Sequence, residues 1–266
     1  MQTVTSSDGT SIAYEEHGDG PPLVLLHGGS LPAYWQPIVP RVSDEFTVIV
    51  PSRRGHGESG DGDEYSLAQE CEDVRAVIDA VDGTPILFGH SFGGLLAIET
   101  ARIASVDGVI AYEPAVLVGE YRERAELAAQ MQAHIDDGNR REAMRCYVRE
   151  VIHGGEIEHL GQWLAEWPPW PEIVGLAENI ARMNREIEQY RLPDQFDIDT
   201  PVLLQTGTEG PPHLREGVRA THEALPESRL VEFDGVSHAG PVEAPARVTA
   251  EVRQFVDHED IDFPDA

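Results

Sequence analysis

A chain of 266 residues that is 41% hydrophobic has the material for one large core, which excludes a disordered or purely structural role. Its 48 acidic residues oppose 19 basic ones for a formal net charge of -29, and every basic residue is Arg. Phosphate contacts need clustered Lys or Arg, so no nucleic acid partner is expected; with no run of about 18 apolar residues, no membrane partner is expected either.

In chain order, residues 1–112 alternate short β-rich runs with helical stretches, the pattern of a mostly parallel sheet covered by helices. Residues 23–26, 46–50, 85–88 and 108–112 are continuous apolar runs of buried-strand length. Ser66 and Gln69 form a capping box, and Leu67, Cys71, Val74, Ile78 and Val81 then recur at helical spacing. Residues 95–103 read as a further helix. From Ala115 to about Phe196 helix follows helix, with breaks at Gly138, at His153-Gly154-Gly155 and at Trp167-Pro168-Pro169-Trp170-Pro171. Alternation resumes with a strand over 201–204, a helix over 213–224, a strand over 229–233 and a last helix in which Val248, Val252 and Phe255 share a face. The simplest division is a core domain of residues 1–114 and 197–266 with a helical cap of residues 115–196 inserted into it. The acidic tail from His258 onward is expected to fray.

The sharpest chemical signal is Gly89-His90-Ser91-Phe92-Gly93-Gly94, between a strand and a helix. There Gly-x-Ser-x-Gly makes a nucleophile elbow: only small residues fit beside so sharp a turn, and the hydroxyl is left exposed above the sheet. A serine hydroxyl is a weak nucleophile at neutral pH and needs a base that is itself oriented by an acid. Of the 11 histidines, His238 is the strongest base candidate, because it follows the strand 229–233 near the end of the chain, and sites in open α/β sheets assemble at the C-terminal ends of strands. His27-Gly28-Gly29-Ser30 follows the strand 23–26, and its small residues let backbone N–H groups point into a site. The N–H groups of Gly29 and Phe92 are the expected donors to the carbonyl oxygen that becomes negative in acyl transfer. Alone, the His27 loop would read as a Gly-rich turn with no ligand and a single His as a surface or satisfied polar group, whereas the strand before Ser91 and the helix after it favour the elbow.

Together, His27-Gly28-Gly29, Arg54-Gly55-His56-Gly57-Glu58-Ser59, the Ser91 elbow and the late His238 resemble the α/β-hydrolase fold superfamily over nearly the whole chain. The resemblance implies an α/β fold: an eight-stranded, mostly parallel sheet with helices on both faces, a helical cap inserted after strand six, and a triad in the order Ser, acid, His. Epoxide hydrolases and haloalkane dehalogenases of this superfamily carry Asp at the nucleophile position, and Ser91 argues against both. Two positions depart from the pattern. Ser52 stands where an Asp usually precedes Arg-Gly-x-Gly, and Gly210, in Gly207-Thr208-Glu209-Gly210, stands where the acid usually follows strand seven. Glu113, in Tyr112-Glu113-Pro114, directly follows strand six, a place some members use for the acid. Glu113 is therefore the expected acid and Glu209 the alternative.

The cap holds Trp163, Trp167 and Trp170, candidates either to roof an apolar pocket or to hold the cap to its base. With His27, Gly28, Ser30 and Tyr34 they make up the expected pocket residues; His56 and Arg54 read better as loop hydrogen-bonding residues. Cys71 and Cys146 show neither metal-ligand spacing nor a disulfide framework, so reduced thiols, no metal and a cytoplasmic location are expected. Self-repulsion among the carboxylates weakens the compact state in dilute salt, and screening that shortens to roughly 3 Å at about 1 M removes most of that cost, so a halophilic source is expected. The expected activity is hydrolysis of a small carboxylic ester or lactone through an acyl-Ser91 intermediate, with no cofactor. C-C bond hydrolysis and cofactor-free perhydrolysis or haloperoxidation use the same triad, and a non-catalytic ligand-binding protein that retains the pocket is the alternative from a different class.

Overall fold

Strands built almost wholly of apolar residues are stable only where both faces are covered. In the computed structural model, which describes residues 1–62, 64–155, 157–225 and 227–258, five such strands form the middle of the sheet. Every residue is buried in β3 (Pro22–Leu26), β5 (Ile86–His90), β6 (Gly108–Tyr112) and β7 (Val202–Gly207), and all but the first in β4 (Thr47–Pro51). The sheet has eight strands in the order β1-β2-β4-β3-β5-β6-β7-β8. The antiparallel edge is made by β1 (Gln2–Thr5) and β2 (Ser11–His17), and β8 (Ser228–Phe233) runs parallel to β7 at the other. No pattern in the sequence singles out β1 or β2, because β2 buries only the consecutive residues Ile12, Ala13 and Tyr14.

Alternate residues of each central strand enter opposite cores, as the two-residue period of a pleated strand requires. Val24, Leu26, Leu87, Val109 and Leu204 face one side, Leu23, Leu25, Phe88, Ile110 and Leu203 the other. The second core is closed by Val42 of the short α1 (Val39–Val42), the first by α2 (Leu67–Ile78) and α3 (Phe92–Thr100). The Ser66 hydroxyl accepts the Gln69 N–H at 3.1 Å, capping α2, which ends three residues before Val81.

Between β6 and β7 the chain forms α4 (Gly119–Glu123), α5 (Leu127–Asp136), α6 (Arg140–Tyr147), a π-helical turn (Val148–Ile152), α7 (Leu160–Glu166), α8 (Trp170–Val174) and α9 (Ala177–Gln189). The interruptions fall at Gly138 and Gly154, both at positive φ, and at the proline cluster before α8. These helices share a core of their own, including Met131, Met144, Tyr147, Trp170, Ile180 and Met183, which rests on Phe92 and Leu95 of α3. After β7, Val218 of α10 (Pro212–Ala224) completes the first core, and Val248, Val252 and Phe255 of α12 (Pro245–His258) complete the second; the short α11 (Gly240–Glu243) precedes α12. Of the acidic tail expected to fray, residues 259–266 lie outside the described residues. Among the described residues no helix is long and apolar enough to cross a membrane.

Candidate active site

Ser91, Glu113 and His238 follow the parallel strands β5, β6 and β8, and the turn after β5 delivers the nucleophile candidate. Ser91 has φ 57° and ψ −122°, a conformation that L-residues seldom adopt, at a cost on the order of 1–3 kcal/mol that the surroundings must offset. Its N–H donates to the Tyr112 carbonyl at 2.9 Å, and its own carbonyl accepts from Gly94, Leu95 and Ala115. A Cβ at Gly89 would overlap the Gly93 carbonyl, and one at Gly93 would overlap that of Leu26, so both glycines of the pentapeptide are sterically required.

Glu113 follows β6 at φ 42° and is fully buried. Its Oε1 accepts from Thr206 Oγ1 at 2.7 Å and from the Gly207 N–H at 3.1 Å, and its Oε2 accepts from His238 Nδ1 at 2.7 Å. With Nδ1 so engaged, the unprotonated Nε2 of neutral His238 is the basic nitrogen. Glu209 is exposed, and the place beside the imidazole belongs to Glu113. Gly210, at the usual position of the acid, is what leaves room: a Cβ there would overlap Glu113 Oε1. The backbone around His238 is tied down by Tyr112 Oη, which donates to the Ser237 carbonyl at 2.6 Å, and by His90 Nε2, which donates to the His238 carbonyl at 2.8 Å. Burial, and then the neighbouring His238, hold His90 well below the usual histidine range.

The loop after β3 packs against the elbow. A Cβ at Gly28 would come within 2.8 Å of Ser91 Cβ, and one at Gly29 would overlap the Tyr147 hydroxyl, so the 28–29 peptide lies beside the nucleophile. Phe92 is the first residue of α3, where an N–H has no acceptor within its own helix. In the loop after β4, Ser59 Oγ donates to the Ser52 carbonyl at 2.6 Å and accepts from the Ala13 N–H at 2.9 Å, which ties the loop to β2. Arg54 forks onto Asp73 at 2.6 and 2.7 Å, and His56 Nδ1 donates to the Arg54 carbonyl, which makes both loop residues.

Above Ser91 lies a cavity of about 760 Å3 between the strand ends and the inserted helices. Leu117, Leu127, Val151, Met183, Ile187 and Leu214 give it an apolar wall, and Glu120, Glu126, Glu150, Glu188 and Glu216 outnumber Arg124 and Arg149 on its lining. The residues expected to line it are elsewhere. Trp170 is buried in the core of the inserted helices, and Trp163 packs against Trp167 at 5.2 Å and His153 at 4.9 Å, so the tryptophans hold the insertion together. His27 lies behind the loop, Tyr34 stacks on His90 at 4.4 Å, and Gly28 and Ser30 are also absent from the wall. His213, which no sequence pattern singles out, does line the cavity; burial, and then His238 beside it, push it down to about 4, so it is neutral. Among the described residues no three His, Cys, Asp or Glu side chains are grouped to hold a metal ion, and Cys71 and Cys146 are free and buried.

The strand order, the strained elbow and the carboxylate-held histidine converge with a family model described as alpha/beta hydrolase family, which matches residues 23–252. The chain belongs to the alpha/beta hydrolase family. A family member from Sphaerobacter thermophilus, described as an alpha/beta hydrolase, superimposes with a TM-score of 0.84 at 29% identity, over 96% of this chain and 99% of that one. Among characterised relatives, a pimeloyl-[acyl-carrier protein] methyl ester esterase of Aeromonas hydrophila is 27% identical, covering 92% of this chain and 99% of the relative. A non-heme chloroperoxidase of Streptomyces lividans is 28% identical, covering 90% and 93%. These relatives are thus an esterase and a chloroperoxidase, both enzymes.

Proposed function

We propose that this hydrolase cleaves a small, uncharged carboxylic ester or lactone through an acyl-Ser91 intermediate. The observation that carries the reading is the 2.7 Å bond from His238 Nδ1 to the buried Glu113 Oε2, at the end of β6, with Ser91 on a strained elbow at the end of the paired strand β5. His238 Nε2 takes the Ser91 proton as Oγ attacks the carbonyl carbon, and the oxygen of the tetrahedral intermediate collects the negative charge. The Gly29 and Phe92 N–H groups donate to that oxygen. As the intermediate collapses, His238 gives its proton to the leaving alkoxide, and the alcohol departs. Water then attacks the acyl-enzyme with His238 again as base, which releases the carboxylic acid and restores Ser91. Glu113 keeps the imidazole in the productive tautomer and stabilises its cationic form throughout.

The excess of carboxylates on the cavity lining favours neutral substrates over anionic ones. Residues 115–196 act as the cap that closes over them. The Streptomyces lividans relative supports a second reading, perhydrolysis on the same Ser91, Glu113 and His238, in which hydrogen peroxide replaces water as acceptor of the acyl group. A panel of esters and lactones assayed with and without peroxide tests both. Turnover of neutral esters that is lost in Ser91→Ala is the expected result, and no turnover of any acyl substrate would favour a non-catalytic ligand-binding protein.

A further inference from the structure

Nothing in the reaction above calls for a buried cation, yet Arg53 is one, with its side chain 2% exposed. Its guanidinium donates through Nε and Nη2 to Glu70 at 2.7 and 2.5 Å, through Nη2 to Tyr65 Oη at 3.0 Å, and through Nη1 to the Gly28 carbonyl at 2.8 Å. The guanidinium carbon also sits 4.4 Å from the centroid of the Phe92 ring. Hydrophobic residues of similar volume would avoid the desolvation cost of this Arg53–Glu70 pair, so stability alone does not account for it.

The Gly28 carbonyl and the Gly29 N–H belong to one peptide unit, and a peptide is planar, so fixing the carbonyl fixes the N–H on its opposite side. A second donor reaches the same oxygen. The Arg53 backbone N–H donates to His27 Nε2 at 3.2 Å. Burial, followed by the neighbouring His56 and the Arg53 cation, keeps His27 neutral, so its proton is on Nδ1, which donates to the Gly28 carbonyl at 3.0 Å. Two donors, one of them cationic, thus converge on one carbonyl, and each draws electron density toward that oxygen and makes the N–H at the other end of the unit a stronger donor.

The geometry points to Arg53 as a positioning residue that aims and polarises the Gly29 N–H toward the oxyanion, a role that rests on the acyl-Ser91 reading above. Arg53 is absent from the cavity lining and acts through the peptide it holds. Its pull is greatest when the substrate oxygen carries negative charge, so its loss weakens the tetrahedral intermediate more than the bound ester.

Removing Arg53 alone would strand Glu70 as an uncompensated buried charge, so the pair is replaced as a unit. In Arg53→Met/Glu70→Gln, kcat for an activated neutral ester falls by about ten- to a hundredfold, short of the ~10²–10³ lost when an oxyanion donor is removed outright. KM changes little, and affinity for phenylboronic acid, which forms a tetrahedral anion on Ser91, falls by the same factor as kcat. If that pair does not fold, Arg53→Gln/Glu70→Gln places two neutral amides there and is read the same way. A folded double variant of either kind that keeps wild-type kcat and boronate affinity, or whose loss lies only in KM, overturns the role of Arg53. Labelling of the wild type by a fluorophosphonate separates the two ideas: without a Ser91 adduct the acyl-serine reading fails and Arg53 with it, whereas rapid labelling beside unchanged variant kinetics defeats Arg53 alone.

Discussion

Gly210 abuts the Glu113 carboxylate so closely that any side chain at 210 would overlap Oε1. The carboxylate that holds His238 stands at the end of β6, and Gly210, in the loop after β7, leaves it the room it needs. Gly210→Ala should therefore push the carboxylate off His238 while leaving the sheet intact. An active-site misplacement of about 1 Å costs on the order of 10²-fold, and a kcat loss of that size with an unchanged circular dichroism spectrum is the expected outcome.

Glu113→Gln should lower kcat by about 10⁴, the scale seen when the orienting carboxylate of a triad becomes an amide, because the wrong tautomer is then favoured. Glu209→Gln, on an exposed side chain, should change kcat little. Steady-state kinetics of the two single variants decides the matter, and the reverse ranking would return the acid to the loop after β7.

The elbow glycines are tested by stability. A Cβ at Gly89 meets the backbone of Gly93 and Gly94 with no flexible side chain to yield, so Gly89→Ala should cost about 1–3 kcal/mol of overpacking strain. The urea midpoint should fall with an unchanged slope.

How much of this was legible in the sequence follows from physical range. The central strands were readable because burial on both faces leaves continuous apolar runs, and Ser91 because its turn demands glycine on either side. Glu113 was reached through the resemblance, in which some members carry the acid directly after strand six, and the structure places it against His238. The cavity wall was not, because it depends on how the inserted helices pack: Trp163 and Trp167 satisfy each other, while Met183 and His213 reach the cavity from elements far apart in sequence. Arg53 escaped notice because its partners Glu70 and Gly28 are brought to it only by the fold.

His56 supplies a pH test. It is buried and pushed down to about 4 by burial and then by Arg53, whereas an unfolded histidine titrates near ~6.5. Between those values the unfolded chain binds the proton and the folded chain does not, so His56 contributes stability above pH ~6.5 that is lost as pH falls toward 4. Denaturation across this window in His56→Asn should show a shallower pH slope than in the wild type, and an identical slope would contradict the buried, neutral state.

With a formal charge of -29 and no Lys, the thermal midpoint and the activity should both rise from about 0.1 M to molar KCl as screening shortens. A midpoint that is flat or falls across the salt series would remove the halophilic expectation and leave the site untouched.

The central claim is that Ser91 is a nucleophile activated by the His238–Glu113 pair, and covalent capture reads it most directly. Intact-protein mass spectrometry after treatment with a stoichiometric fluorophosphonate should show one rapid adduct, mapped to Ser91, absent in Ser91→Ala and slowed by orders of magnitude in Glu113→Gln. No adduct on the wild type, or an adduct formed equally fast in Ser91→Ala, would contradict it.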